Sequence, residues 1–150
     1  MEISRQAIEG IIREVVREVV REELGRNAPA RRVDPSGVIA IDLDRVELEP
    51  FPFPIPAQRV RLADIVSLEE SPRLGCGVME LDSESFQWTL KYDEIDYVVS
   101  GALDIVAQGR VIRVEAGQVV YIPKDTTISF AATGPVRFVY VCYPANWSQQ

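Results

Sequence analysis

Apolar pairs recur every four residues near the start of the chain: Ala7/Ile8, Ile11/Ile12, Val15/Val16, Val19/Val20, then Leu24. That spacing lays one apolar stripe along a helix, drifting slowly because a turn holds about 3.6 residues. Between the pairs, Arg13-Glu14 and Arg17-Glu18 repeat, and Glu14–Arg17 and Glu18–Arg21 can pair at i,i+3, each worth roughly 0.2–0.5 kcal/mol. Ser4 is placed to cap the N-terminus and Gly25 to stop the helix. The pattern predicts an amphipathic helix within residues 1–25. Its many β-branched residues lower intrinsic helicity. Ile8, Ile11, Ile12, Val15, Val16 and Val19 therefore need a surface to cover them, and their i, i+3, i+4 spacing suits a groove on a partner. Six glutamates on the polar face argue against anionic membrane.

Residues 26–37 carry two prolines and no periodicity, and read as a linker. From 38 to 150 the period changes to two. Val38–Leu43 alternates weakly. In Glu49-Pro-Phe-Pro-Phe-Pro-Ile-Pro56, only Phe51, Phe53 and Ile55 keep a backbone donor among the alternating prolines, which predicts an extended edge segment. Strand candidates follow at Arg59–Asp64, Cys76–Leu81, Phe86–Lys91, Asp96–Ser100, Leu103–Ala107, Arg110–Val114, Gln118–Ile122, Thr127–Ala131 and Val136–Tyr143. Turn signals at Ser100-Gly101, Gln108-Gly109, Ala116-Gly117 and Gly134-Pro135 divide them. Short strands so punctuated read as one sandwich or barrel. There is no βαβ alternation and no Walker-type phosphate loop.

Composition and residue usage adjust this picture at five points. The 150 residues suit a single folded domain plus a tail. A net charge of −7 disfavours nucleic acid as a partner. The N-terminal stretch is broken by charges, so it reads as neither signal peptide nor membrane span. Cys76 and Cys142, without CxxC spacing, read as reduced thiols in the cytosol. Histidine is absent altogether, which removes the usual ligands of first-row transition metals.

Two stretches resemble the paired signature motifs of the cupin superfamily. In 88–101, Glu94 and Gly101 stand at the motif spacing, but Trp88 and Leu90 occupy the histidine positions. In 117–132, Gly117 and Pro123 match, while Asp125 replaces a glycine and Ile128 a histidine. Tyr92-Asp-Glu-Ile-Asp-Tyr97, Tyr121-Ile-Pro-Lys124, Leu68-Glu-Glu-Ser-Pro-Arg73 and Val139-Tyr-Val-Cys-Tyr-Pro-Ala-Asn-Trp147 further resemble the ethanolamine-utilisation protein Q (EutQ) family. The resemblance implies a mainly β fold: a single double-stranded cupin (jelly-roll) β-barrel over 38–150 behind the helix. It implies a homodimer associated with a bacterial microcompartment. It also implies acetate kinase-like exchange of a phosphoryl group between acetyl phosphate and ADP, with Mg²⁺. The stripe of residues 1–25 is similar to an encapsulation peptide that docks on a shell protein or cargo enzyme. The alternative is a non-catalytic assembly protein.

The residues permit a definite chemistry. Alternation puts Glu94, Asp96 and Val98 on one face, and the cupin pattern would turn that face inward. Should the alternation break at the turn, Asp93 is the inward acid. Buried together, Glu94 and Asp96 must bind a cation, share a proton or receive hydrogen bonds. Mg²⁺ suits two carboxylates, weakly held, and no transition-metal site is expected. Phosphoryl transfer needs positive charge over the phosphate oxygens. The two lysines, Lys91 and Lys124, lie inside the motifs and could flank a phosphate of ADP or ATP, or could be solvated loop residues. Tyr92, Tyr97 and Tyr121 are candidate donors to a bound substrate, or core residues.

Overall fold

The computed structural model describes residues 30–150 and, within 1–29, Ile8, Ile11, Ile12, Val15, Val16, Glu18 and Val19. These seven are helical with exposed side chains. The bounds expected for the helix, its caps and its ion pairs lie outside the described residues. The chain divides into two compact units, Met1–Ala40 and Ile41–Gln150.

The stretch read as a linker contains a strand. β1 (Arg31–Val33) pairs with β2 (Ile39–Ile41) in a two-stranded sheet. The connecting turn supplies the reason: the Asp34 carboxylate accepts from the Ser36 backbone at 2.9 Å, and the Asp34 N–H donates to Val38 O at 2.8 Å. A proline and a glycine placed two apart were a hairpin turn rather than a sign of slack chain.

Beyond a 3-10 turn at Leu43–Arg45, ten further strands follow. They are β3 (Glu49–Pro50), β4 (Val60–Asp64), β5 (Gly75–Asp82), β6 (Ser85–Thr89), β7 (Asp93–Ser100), β8 (Ala102–Ala107), β9 (Arg110–Glu115), β10 (Val119–Ile122), β11 (Thr127–Ala131) and β12 (Pro135–Tyr143). Among the described residues they form two antiparallel sheets, β10-β7-β12-β5-β4-β3 and β6-β11-β8-β9. The closed barrel expected from the resemblance is not formed by hydrogen bonds. The longer strands alternate in burial, as in Pro135–Tyr143, while Arg110–Glu115 buries only Val114, and the buried set converges on one core. Leu62, Leu81, Val98 and Phe138 from the larger sheet meet Phe86, Leu103, Ile105 and Phe130 from the smaller one.

The proline-alternating segment does take an edge. β3 is the outermost strand of the larger sheet, where missing donors cost nothing. Past it, Phe51 packs on Phe86 at 5.3 Å and Trp88 at 5.4 Å, and Phe53 on Trp147 at 5.9 Å. Gly101, which follows β7, has φ +78, and a Cβ there would stand 2.2 Å from Pro135 O. That motif glycine is required both by its left-handed backbone and by the neighbouring strand.

Candidate functional site

β7 is an inner strand, flanked by β10 and β12, and starts at Asp93, three residues earlier than the sequence pattern suggested. Its alternation holds from that first residue. Glu94 is 6 % exposed and Asp96 fully buried, while Asp93 accepts from the Tyr121 phenol and the Lys124 backbone N–H, each at 2.9 Å. The turn therefore leaves the inward pair intact. Neither Asp96 oxygen has a hydrogen-bond donor. Burial pushes both inward carboxyls well above the ordinary carboxylate range, and the neighbouring Glu94 raises Asp96 further. Ionising both together in a buried place is prohibitive, so the pair retains protons above the ordinary carboxylate range. Asp93, with its two donors, is held below the usual range.

Glu94 opens onto a small, partly open cavity of about 10 Å³, room for roughly one water. Phe51, Phe86, Trp88 and Phe130 line one part of its wall; Met79, Tyr92, Tyr140 and Trp147 line the rest. The ring residues are tied in place. Trp88 Nε1 donates to the Tyr92 phenol oxygen at 2.9 Å. The Tyr140 hydroxyl and Trp147 Nε1 both donate to Asp64 Oδ1, at 2.6 and 3.2 Å. Burial, followed by the charge of Glu94 or Asp64, pushes the Tyr92 and Tyr140 hydroxyls up, so both stay protonated. A Cβ at Gly77 would overlap the Tyr140 ring at 2.1 Å, so glycine there admits the ring.

The positions that match the cupin motif histidines are filled with apolar side chains. Trp88 lines the cavity, and Leu90 and Ile128 are buried, with exposures of 0 and 2 %. Asp125, at the motif glycine, adopts φ +63, a conformation aspartate tolerates better than most residues.

Residues 3–149 match the family "Ethanolamine utilisation protein EutQ". The chain belongs to the EutQ family. It is 40 % identical to "Acetate kinase EutQ" of Clostridioides difficile (strain 630) over 151 aligned residues, covering 99 % of this chain and 96 % of that protein. The solved structure of the Clostridium difficile EutQ protein superposes with a TM-score of 0.76 at 44 % identity, covering 80 % of this chain and 90 % of the other. For the fold alone, the cupin domain of Schizosaccharomyces pombe Cnp3 superposes with a TM-score of 0.57 at 16 % identity, covering 73 % of this chain and 77 % of that one. The fold is that of a cupin.

In this EutQ-family chain only part of the sequence-derived site comes together. Glu94, Asp96 and Tyr92 lie on the inner side. Tyr97 and Tyr121 are 44 and 60 % exposed, on the opposite face of the same sheet, because they fall on odd positions of their strands. Lys91 pairs with Asp125 at 3.1 Å on the surface, and Lys124 is exposed. Neither lysine lines the cavity. Asp64 and Trp147 were missed, and Tyr140, one of five tyrosines near the motifs, was not singled out among them. Their only local signal is Asp64 at a strand end, and the contacts span 76 and 83 residues of sequence. Among the described residues no three of His, Cys, Asp and Glu gather closely enough to hold a metal, and no helix is long and apolar enough to cross a membrane.

Proposed function

We propose that this EutQ-family cupin transfers a phosphoryl group between acetyl phosphate and ADP, with Mg²⁺ held by Glu94 and Asp96. The observation that carries the reading is the Asp96 carboxyl, fully buried with both oxygens undonated beside a second buried acid. The "Acetate kinase EutQ" of Clostridioides difficile supports it by name. Two carboxyl groups suit a hard dication, which would displace their protons on binding, and offer nothing to a softer metal. When bound, Mg²⁺ would supply charge stabilisation over the phosphoryl oxygens. The chain's own part is positional. Tyr92 can donate its hydroxyl hydrogen to an acyl or phosphoryl oxygen, since its oxygen already accepts from Trp88. The aromatic wall excludes water from the small acyl end. At about 10 Å³ the cavity has room for roughly one water, far below the roughly 300–1,000 Å³ of drug-sized pockets, so its wall must open for the acyl phosphate to enter. A nucleotide base and ribose must therefore stay outside. Lys91 and Lys124, on the surface, steer the anionic substrates toward the site rather than touching the transferred group. Purified protein freed of host acetate kinase should form ATP from acetyl phosphate and ADP only with Mg²⁺; no turnover above a Glu94→Gln control would sink the reading.

A second reading, non-catalytic assembly in a bacterial microcompartment, is favoured by exposed apolar residues. Ile8, Ile11, Ile12, Val15, Val16 and Val19 suit docking on a shell protein or cargo enzyme. Ile95, Tyr97, Val119 and Tyr121, adjacent on β7 and β10, suit a homodimer contact. Fusing residues 1–37 to a fluorescent protein in cells that build the shell tests the docking; diffuse fluorescence beside punctate control cargo rejects it.

A further inference from the structure

The cavity beside Glu94 has room for roughly one water, so anything larger reaches that carboxyl only after a wall moves. Most of the wall stands on β5, β6, β7, β11 and β12, inside hydrogen-bonded ladders. Tyr92 and Trp147 lie off the strands, but side-chain hydrogen bonds hold them to Trp88 and to Asp64. Phe51 is the exception: its ring meets Phe53, Phe86 and Trp88 through apolar contact alone. The chain that follows it is stiff. From Pro50 to Pro56 every residue is a proline or precedes one, so each is confined to extended backbone. Pro52, Pro54 and Pro56 face solvent, while Phe51, Phe53, Ile55 and Ala57 turn to the core and are half-buried. Among the described residues, Phe51 N–H to Val60 O, at 3.0 Å, is the only backbone hydrogen bond of 51–57. A side chain fixes the far end. The Glu84 carboxylate accepts from the backbone N–H groups of Gln58 and Arg59, at 3.2 and 3.1 Å. Between these two tethers, Phe53 rests on Trp88 at 5.5 Å and on Trp147 at 5.9 Å.

We propose that residues 51–57 are the lid of this cavity, a proline-stiffened strap that lifts as one body and takes Phe51 and Phe53 off its mouth. Lifting breaks one hydrogen bond beside an edge strand and strips apolar contacts. Displacing any other part of the wall breaks a strand ladder or leaves a buried indole or phenol unpaired. The strap is therefore the wall that opens first. What the lid admits rests on the phosphoryl-transfer reading above: a small acyl phosphate reaches the acid pair only with the strap raised. The motion itself is measured without substrate, so absence of turnover would sink that reading and leave the lid standing.

Native-state hydrogen exchange on the full chain, read by NMR at single amides and indoles over a range of urea concentrations, tests it. Phe51 N–H reports the strap, Trp88 Nε1–H the cavity behind it, and Trp147 Nε1–H the C-terminal wall. The expected result is that Phe51 and Trp88 exchange through a shared opening that depends little on urea. Their protection should fall at least about tenfold below that of the central amides of β5 and β12. Glu84→Ala removes the far tether and lies outside the cavity wall. It should lower the protection of Phe51 and of Trp88 Nε1 by the same factor, about tenfold. A fall at Phe51 with Trp88 unmoved would show that the strap does not cover the cavity. Trp88 following Trp147 rather than Phe51 would make the C-terminal segment the gate, and exchange of Phe51 and Trp88 only with global unfolding would leave no lid. Each of these three results overturns the proposal. Should Glu84→Ala fail to fold, the order of exchange in the native chain decides.

Discussion

Ile128 stands opposite Trp88 on the paired strands β11 and β6. Both occupy positions that match cupin motif histidines, so the strands that would carry a metal site are in register without its ligands. Trp88→His, Leu90→His and Ile128→His together should restore three imidazoles around Glu94. The triple variant is expected to take up near-stoichiometric Zn²⁺ or Ni²⁺, while the native chain, purified without a tag, carries less than about one-tenth equivalent of any first-row transition metal. Elemental analysis of both proteins checks it. Stoichiometric, chelator-resistant metal in the native chain would contradict the account of the site.

The buried acid pair gives stability a definite slope with pH. Burial raises both carboxyls above their unfolded values. From the ordinary carboxyl range near pH 4 upward, the folded chain then binds more protons than the unfolded one. Unfolding free energy should therefore fall as pH rises, by at most about 1.4 kcal/mol per pH unit for each group. Urea melts between pH 5 and 8 should show the fall, and Glu94→Gln with Asp96→Asn should flatten it while stabilising the protein at pH 8. A native profile that rises over this range would mean the pair is already ionised and compensated.

If the chain is a kinase, its two kinds of polar residue should separate kinetically. Glu94→Gln deprives the transferring group of charge stabilisation and should lower kcat by about a hundredfold or more. Lys124→Met and Lys91→Met, remote from the cavity, should raise KM for ADP and leave kcat within about threefold. Steady-state kinetics under varied ADP reads the split. A large loss of kcat in either lysine variant would place that lysine on the reacting phosphate.

Gly101 and Gly109 share a left-handed backbone, φ +78 and +75, but differ in space. A Cβ at Gly109 meets nothing within 4 Å, whereas at Gly101 it collides with backbone. Gly109→Ala should cost about 1–2 kcal/mol, the conformational term alone. Gly101→Ala should cost roughly 2–5 kcal/mol, because the overlap adds to it. Chemical denaturation of both variants measures the difference; equal costs would show that β12 yields freely.

The outer face of β7 and β10 should govern association. Tyr97 lies opposite Val119, and Ile95 opposite Tyr121, all exposed. Tyr97→Glu with Val119→Glu should convert the proposed dimer to monomer at tens of micromolar, with the fold retained. Sedimentation equilibrium of the full chain is the measurement, and a native monomer would remove the homodimer.

Sequence alone placed most of the strands beyond residue 58, because a half-buried strand writes its own period. Thr127–Ala131 begins and ends where its alternation does, and Val136–Tyr143 is one residue short of β12. The same period put Glu94 and Asp96 on one face, and family resemblance turned that face inward. Sequence was blind at Arg31–Val33, where a hairpin turn resembles a flexible linker until its hydrogen bonds are seen. It could not distinguish two sheets from a closed barrel, since both impose the same alternation. Nor could it sort the polar residues near the motifs. Tyr92 and Tyr121 carry the same phenol, and only the packing of two sheets made one a cavity wall and left the other on the surface. The tertiary structure alone joined Asp64 to Tyr140 and Trp147. Contacts across that much chain depend on how the strands are ordered, which no local pattern records.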